Sequence, residues 1–236
     1  MKEPEARLGI LGGMGPQATQ IFYQRVIDRT QADCDQEHVP TLIWSDTQIP
    51  DRTACILGGQ EDKVFSRLLT SARLLEDAGC SVIAIPCNTS HYFVDKLAVS
   101  VNIPILNMIK ETVARIRKMG TPTVGILATD GTVQMGLYQT ECQAAGLTCL
   151  APPPDIQRLV MSIIYDEIKR GEPGSRDKFE QIDRAMRSLG CDCVILGCTE
   201  LSVYRTYHNL PAFYVDAMEV LCECAILHCG KTLRNI

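Results

Sequence analysis

No run of lysine or arginine interrupts this sequence, and its 28 acidic residues outnumber 23 basic ones for a net charge of −5. Nucleic-acid binders concentrate positive charge on one face or tract, so this balance points away from nucleic acid and toward a small-molecule partner. No stretch reaches the roughly 18 uninterrupted apolar residues of a membrane span. The opening segment, Met1-Lys-Glu-Pro-Glu-Ala-Arg7, lacks the apolar core of a secretory leader. The expected compartment is therefore the cytoplasm, with no membrane partner. Low-complexity tracts are missing too. So are the CxxC pairs of zinc sites: Cys222, Cys224, His228 and Cys229 lie close together without that spacing, and no metal is expected.

Cysteine itself is plentiful, at 12 residues, several of them inside apolar strand or helix patterns. In a reducing compartment most should be free thiols acting as small core residues, so only position can single any of them out. Two positions do so. Ala78-Gly-Cys-Ser-Val-Ile-Ala-Ile-Pro-Cys-Asn-Thr-Ser90 and Leu189-Gly-Cys-Asp-Cys-Val-Ile-Leu-Gly-Cys-Thr-Glu-Leu201 share a turn glycine, a short apolar β-branched run, and a cysteine followed by small polar residues. The run reads as a buried parallel strand, which puts Cys87 and Cys198 at its carboxyl end, where open α/β sheets bind ligands.

The repeat extends beyond these strands. Gly9 and Gly125, Cys87 and Cys198, and Pro104 and Pro211 are separated by 116, 111 and 107 residues. A nearly constant offset over three markers is an internal duplication. Strands are expected at 7–11, 41–44, up to Cys87, 102–106, 124–129, up to Cys198 and 212–215. Helices are expected at 17–27, 63–77, 90–98, 110–119, 131–146, 156–170, 177–188 and 218–233. This alternation predicts an α/β fold: two pseudo-symmetric α/β/α domains with mainly parallel sheets and an active site in the cleft between them. The first domain takes residues 1–105 plus about 212–236, and the second 106–211.

Gly12-Gly-Met-Gly-Pro16 reads as a turn with open amide groups leading into a helix, an anion-receptive arrangement. Gly13-x-Gly15-x-x-Ala18 also fits the dinucleotide fingerprint, but the acidic partner about 20 residues on is missing, Asp46 lying too late. A cysteine at a helix N-terminus should have a lowered pKa and act as a proton-transfer thiolate. The amides of Asn88, Thr89, Thr199 and Glu200 could then hold a carboxylate. Each reading has a plain structural counterpart. Cys87 and Cys198 could be core residues, Thr89 and Thr199 helix caps, Arg52 a surface-loop cation, and Lys169 a solvated cation near a helix C-terminus. Asp51, Glu200 and His91 could tune a thiol, or serve as caps and surface groups.

Taken together, Gly12-Gly-Met-Gly-Pro16, Gln48-Ile-Pro-Asp-Arg-Thr53, Pro86-Cys-Asn-Thr89, Gly125-Ile-Leu-Ala-Thr129, Ile164-Tyr-x-x-Ile-Lys169 and Gly197-Cys-Thr-Glu200 resemble the cofactor-independent aspartate/glutamate racemases, most closely the aspartate branch. The resemblance implies two similar α/β domains, no pyridoxal phosphate or other cofactor, no metal, and a homodimer. It further implies that Cys87 and Cys198 are the two acid/base residues and that Arg52 and Lys169 hold the carboxylates of a dicarboxylic amino acid. Met14 and Thr129 would line the pocket. The expected activity is interconversion of L- and D-aspartate. Alternatives are a glutamate or broader amino-acid racemase, a maleate isomerase, hydantoin racemase or malonate decarboxylase, and a non-catalytic small-ligand binding protein.

Overall fold

The computed structural model describes residues 6–234. The chain divides into two compact units, Met1–Met108 with Met218–Ile236, and Ile109–Ala217. Among the described residues, every pairing between the named strands is parallel, and both units are α/β.

In the first unit, β1 (Leu8–Gly12) lies between β2 (Thr41–Ser45) and β3 (Val82–Ala84), giving the order β2-β1-β3. Leu8, Ile10, Leu11, Val82, Ile83 and Ala84 are fully buried, as expected of parallel strands covered on both faces. Around them pack α1 (Pro16–Arg29), α2 (Arg52–Leu57), α3 (Glu61–Asp77) and the short α4 (Val94–Ala98). Helix α3 turns Val64, Leu68, Ala72 and Leu75 inward, all with no exposed surface. Burying each Val or Leu of that stripe contributes about 1.5–3 kcal/mol. The strand expected at 102–106 is reduced to one bridge between Ile83 and Ile105. Pro104 has no amide to donate, so only its carbonyl joins the ladder, accepting from Ile83 N at 2.9 Å.

The second unit repeats the plan. β4 (Thr123–Leu127) is central, β5 (Thr148–Leu150) and β6 (Cys193–Leu196) flank it, and β7 (Tyr214–Asp216) completes the order β5-β4-β6-β7. Its helices are α5 (Met108–Met119), α6 (Asp130–Gln134), α7 (Leu137–Ala144), α8 (Pro154–Ser162), α9 (Arg176–Ser188) and α10 (Thr199–Tyr207). The single helix expected at 131–146 is two helices, because Gly136 takes a left-handed φ of 64° and breaks the ladder. The helix expected at 156–170 changes character after Ser162, passing through a π turn at Ile163–Glu167 and a 3₁₀ turn at Ile168–Arg170.

The last helix, α11 (Ala217–His228), returns to the first unit. Arg29 on α1 bridges Glu219 at 2.8 Å and also pairs with Glu223. Thr30 forms an antiparallel bridge with Leu233. The helix expected to reach 233 stops at His228, and Gly230 follows with φ 71°.

One buried carboxylate organises the segment after β2. Asp46 accepts from Arg67 Nε at 2.6 Å and Nη2 at 2.9 Å, from Ser71 Oγ at 2.9 Å and from Gln48 N at 3.1 Å. The Arg67 guanidinium first of all holds the Asp46 pKa below the usual carboxylate range. A depressed folded pKa means stability present above the ordinary value of about 4 and lost as pH falls through the folded value. Wild-type unfolding free energy, followed by urea titration from about pH 5 downward, should therefore fall more steeply than that of Asp46→Asn. Equal slopes would remove Asp46 from the acid-labile set.

Candidate active site

Each unit presents a buried cysteine just past the strand that neighbours its central one. In the first, β3 runs out through Ile85-Pro86 to Cys87, whose amide bonds Ile85 O at 2.7 Å, and a 3₁₀ turn starts at Thr89. Cys87, Asn88, Thr89 and Ser90 are all buried. His91 fixes the turn from beneath. Its Nε2 accepts the Met108 amide at 3.0 Å, so Nδ1 carries the proton and donates to Cys87 O at 2.9 Å. Burial, opposed by its backbone hydrogen bonds, pushes the His91 pKa down and keeps the ring neutral.

Met14 and Arg52 meet beside this turn. Ser90 Oγ donates to Met14 Sδ at 3.2 Å, and Arg52 Nη2 donates to Met14 O at 3.3 Å. Arg52 is 9% exposed, begins α2 behind the Asp51 cap, and reaches Pro50 O through Nη1 at 3.1 Å. It is not the surface-loop cation of the alternative reading. The glycine turn is less open than expected, since the Gly13 amide donates to Thr19 Oγ1 at 2.9 Å. A hydroxyl one helical turn into α1 has taken the group that an anion would use.

In the second unit, β6 passes through Gly197 to Cys198, which is the N-cap residue of α10. Cys198, Thr199 and Glu200 are buried, and Glu200 turns back so that Cys198 Sγ donates to its Oε2 at 2.9 Å. Thr199 Oγ1 approaches the same oxygen at 3.4 Å. The cap positions of both turns belong to Asn88 and Cys198, and neither side chain makes a capping hydrogen bond. Lys169 projects from the 3₁₀ turn after the π turn, its ammonium 3.8 Å from the centre of the Tyr165 ring. Thr129, at the end of β4, caps α6 by accepting from Thr132 N at 3.4 Å. Gly197 N bonds Leu127 O at 2.8 Å, so the Thr129 and Cys198 turns leave adjacent strand ends.

The expected lowering of the thiol pKa is reversed at Cys198. Burial pushes it well up, and the Glu200 charge and hydrogen bond push it further. The Lys169 ammonium and the Glu200 amide act in the opposite direction and lose. A helix N-terminus is worth only about 0.3–1 kcal/mol when exposed, too little to offset a desolvated sulfur beside a carboxylate. Cys198 thus rests as a thiol with a proton to give.

Glu200 and His91 are where sequence reading fell short, because a polar residue beside a motif is as easily a cap as a partner of the thiol. Both are 5% exposed, and their partners differ: Glu200 accepts from the Cys198 thiol, whereas His91 bonds the backbone carbonyl of Cys87 and not its sulfur. Ser90 gave no signal beyond its place next to Thr89.

These features define a protein of two parallel α/β units that carries one buried, thiol-bearing turn in each. The Asp/Glu/Hydantoin racemase family model matches residues 11–225, and the chain belongs to that family. It is therefore an isomerase, a racemase. It is 30% identical to the broad specificity amino-acid racemase RacX of Bacillus subtilis (strain 168), across 93% of this chain and 96% of that one. The solved structure of Picrophilus torridus aspartate racemase superposes with a TM-score of 0.83 at 29% identity, covering 97% and 96% of the two chains. The glutamate racemase of Aquifex pyrophilus is 27% identical over 61% of this chain and 56% of its own length.

Proposed function

We propose that this racemase interconverts the enantiomers of an acidic amino acid, aspartate first among them, by two-base proton transfer at Cα between Cys87 and Cys198, without a cofactor. The observation that carries this reading is the pair of thiols at matching strand ends, one of them held protonated by Glu200. In one direction the Cys87 thiolate removes the α-proton and Cys198 returns one to the opposite face. In the other, the roles exchange. Fixed amides after each cysteine, at Asn88, Thr89, Thr199 and Glu200, take the α-carboxylate and the charge that develops on it. Arg52 and Lys169 take the second carboxylate, which would otherwise repel a thiolate. Met14 and Thr129 line the pocket in this reading, and the working form is a homodimer.

Aspartate is favoured by the near full-length likeness to the Picrophilus enzyme. The equally complete likeness to RacX favours a second reading, in which several amino acids are accepted. Incubation in deuterated water with L-aspartate, L-glutamate and a panel of uncharged amino acids separates the two. Deuterium at Cα with inversion, fastest for aspartate, is the expected result. Equal rates across the panel would mean broad specificity, and binding without exchange would end the catalytic proposal.

Glu200→Gln tests the protonation state of Cys198. Removing the carboxylate charge lowers the thiol pKa toward its ordinary value. Loss of the acid form then begins at lower pH in one direction, and gain of the base form begins at lower pH in the other. Both pH–rate limbs assigned to Cys198 should move to lower pH. Unmoved limbs with a uniformly lower kcat would give Glu200 a merely structural part.

A further inference from the structure

Lys169 is carried on an irregular stretch of backbone, and the residues that hold this stretch lie outside the proposed chemistry. After Ser162, the last residue of α8, the chain makes the π turn Ile163–Glu167 and then the 3₁₀ turn Ile168–Arg170. A π turn takes up one more residue than an α turn, and each residue of an α-helix advances by about 100°. Relaxation of this turn to α geometry would therefore swing Lys169 about 100° around the helix axis. Tyr165, the ring on which its ammonium rests at 3.8 Å, sits inside the same π turn.

Lys178, in the first turn of α9, spans the π turn from end to end. Its ammonium donates to Ser162 Oγ at 3.0 Å, just before the turn, and pairs with Glu167 Oε1 at the turn's last residue. The second Glu167 oxygen accepts at 2.7 Å from the amide of Ser175, the N-cap of α9, and the Glu167 carbonyl accepts from Glu172 N at 3.1 Å. Glu167 is only 8% exposed, and a carboxylate that deep needs its cation, because an unpaired buried charge is strongly unfavourable. The far end of the segment is fixed separately. Gly174 lies so close to Tyr204 of α10 that an added Cβ would fall 2.6 Å from the ring. His208, the C-cap of α10, accepts from Arg176 Nε at Nδ1, so its Nε2 donates to Pro173 O and Gly174 O at 2.9 and 3.1 Å. With α10 holding residues 173 and 174, slack released by breaking the Lys178 pair falls on the π turn.

We propose that the Lys178–Glu167 pair is a positioning device for substrate recognition: by closing the π turn it aims the Lys169 ammonium at the side-chain carboxylate of a dicarboxylic amino acid. The inference rests on the reading of Lys169 as a carboxylate holder. Neither Lys178 nor Glu167 touches the substrate. Cys198 stands on a different turn, at the start of α10, so the pair governs which ligands are held and leaves proton transfer to the thiols.

The test compares full-length wild type, Lys178→Met and Lys169→Met by steady-state racemisation of L-aspartate and by titration calorimetry with succinate, which has two carboxylates, and butyrate, which has one. Lys178→Met keeps the apolar stem of a side chain that is 33% exposed and removes its donors. It should raise KM for aspartate and Kd for succinate by about 10- to 100-fold, the worth of one hydrogen bond to a charged group. The kcat and the butyrate Kd should stay within about twofold. Lys178→Arg, with donors for both partners, should restore the wild-type constants. Glu167→Gln keeps an oxygen for the Ser175 amide, should show the same selective loss, and stands in for Lys178→Met should that variant fold poorly. Selective loss in Lys169→Met but not in the Lys178→Met or Glu167→Gln proteins would overturn the clamp and leave the reading of Lys169 standing. Unchanged succinate binding by Lys169→Met would overturn that reading, and the clamp with it. A lower kcat with succinate and butyrate weakened alike would reduce the pair to a support of the general fold and also overturn the proposal.

Discussion

Replacing Cys198 with alanine should cost racemisation a factor of about 10²–10⁴ or more in both directions, the range set by loss of a positioned acid or base. Inversion needs a donor on the face opposite the base, and in the proposed scheme that donor is the Cys198 thiol bonded to Glu200. Cys87 is left in place as the proposed base. The enantiomer whose α-proton it removes should still take up deuterium, but with retention of configuration. Cys87→Ala should show the mirror outcome, with exchange confined to the other enantiomer. Circular dichroism of the amino acid reports inversion, and proton NMR in deuterated water reports exchange. Thermal melts control for folding, since both cysteines are buried. Substantial inversion by either variant would rule out the two-thiol scheme while leaving family membership untouched.

The second large effect is on stability. At Gly13 the backbone has φ +91°, and an added Cβ would lie 2.4–2.6 Å from the C, N and O atoms of Asp46. Backbone cannot swing aside as a flexible side chain can, and Asp46 N is itself bonded to Gly12 O at 3.2 Å. Left-handed strain of about 1–2 kcal/mol adds to overpacking of about 1–3 kcal/mol. Gly13→Ala should therefore lose about 2–5 kcal/mol in urea unfolding. Gly59→Ala is the matched control, because φ is +66° there but nothing lies within 4 Å of the added carbon. It should show the strain alone. A Gly13→Ala midpoint no lower than that of the control would mean that the turn yields more easily than its packing indicates.

The duplicated strands could be read from sequence because a parallel strand covered on both sides must be an unbroken apolar run, and Leu8–Leu11 and Val194–Leu196 are such runs. Helix α2 was hidden for the opposite reason. Only Arg52, Thr53 and Ile56 of its six residues are buried, so no apolar stripe marks it, and the Asp51 cap was its one local cue. β5 contributes three residues at an edge, one exposed and two half-covered, too few to show a period. The π turn at Ile163–Glu167 adds a residue to one turn while keeping Ile163 and Ile164 inward, which periodicity cannot distinguish from a continuous helix. The positions of Cys87 and Cys198 were legible from strand ends alone. The direction of the Cys198 shift was not, because it depends on burial and on a carboxylate that folds back two residues along the chain.

The imidazole under the Cys87 turn grips two points at once, the carbonyl of the cysteine and the amide that begins α5. Met108 is also where the chain leaves its own unit for the other. A flat ring with a hydrogen bond on each side leaves few rotations free, so the Cys87 turn is pinned to Met108, the last residue of the first segment of its own unit, more tightly than a longer, flexible side chain would hold it.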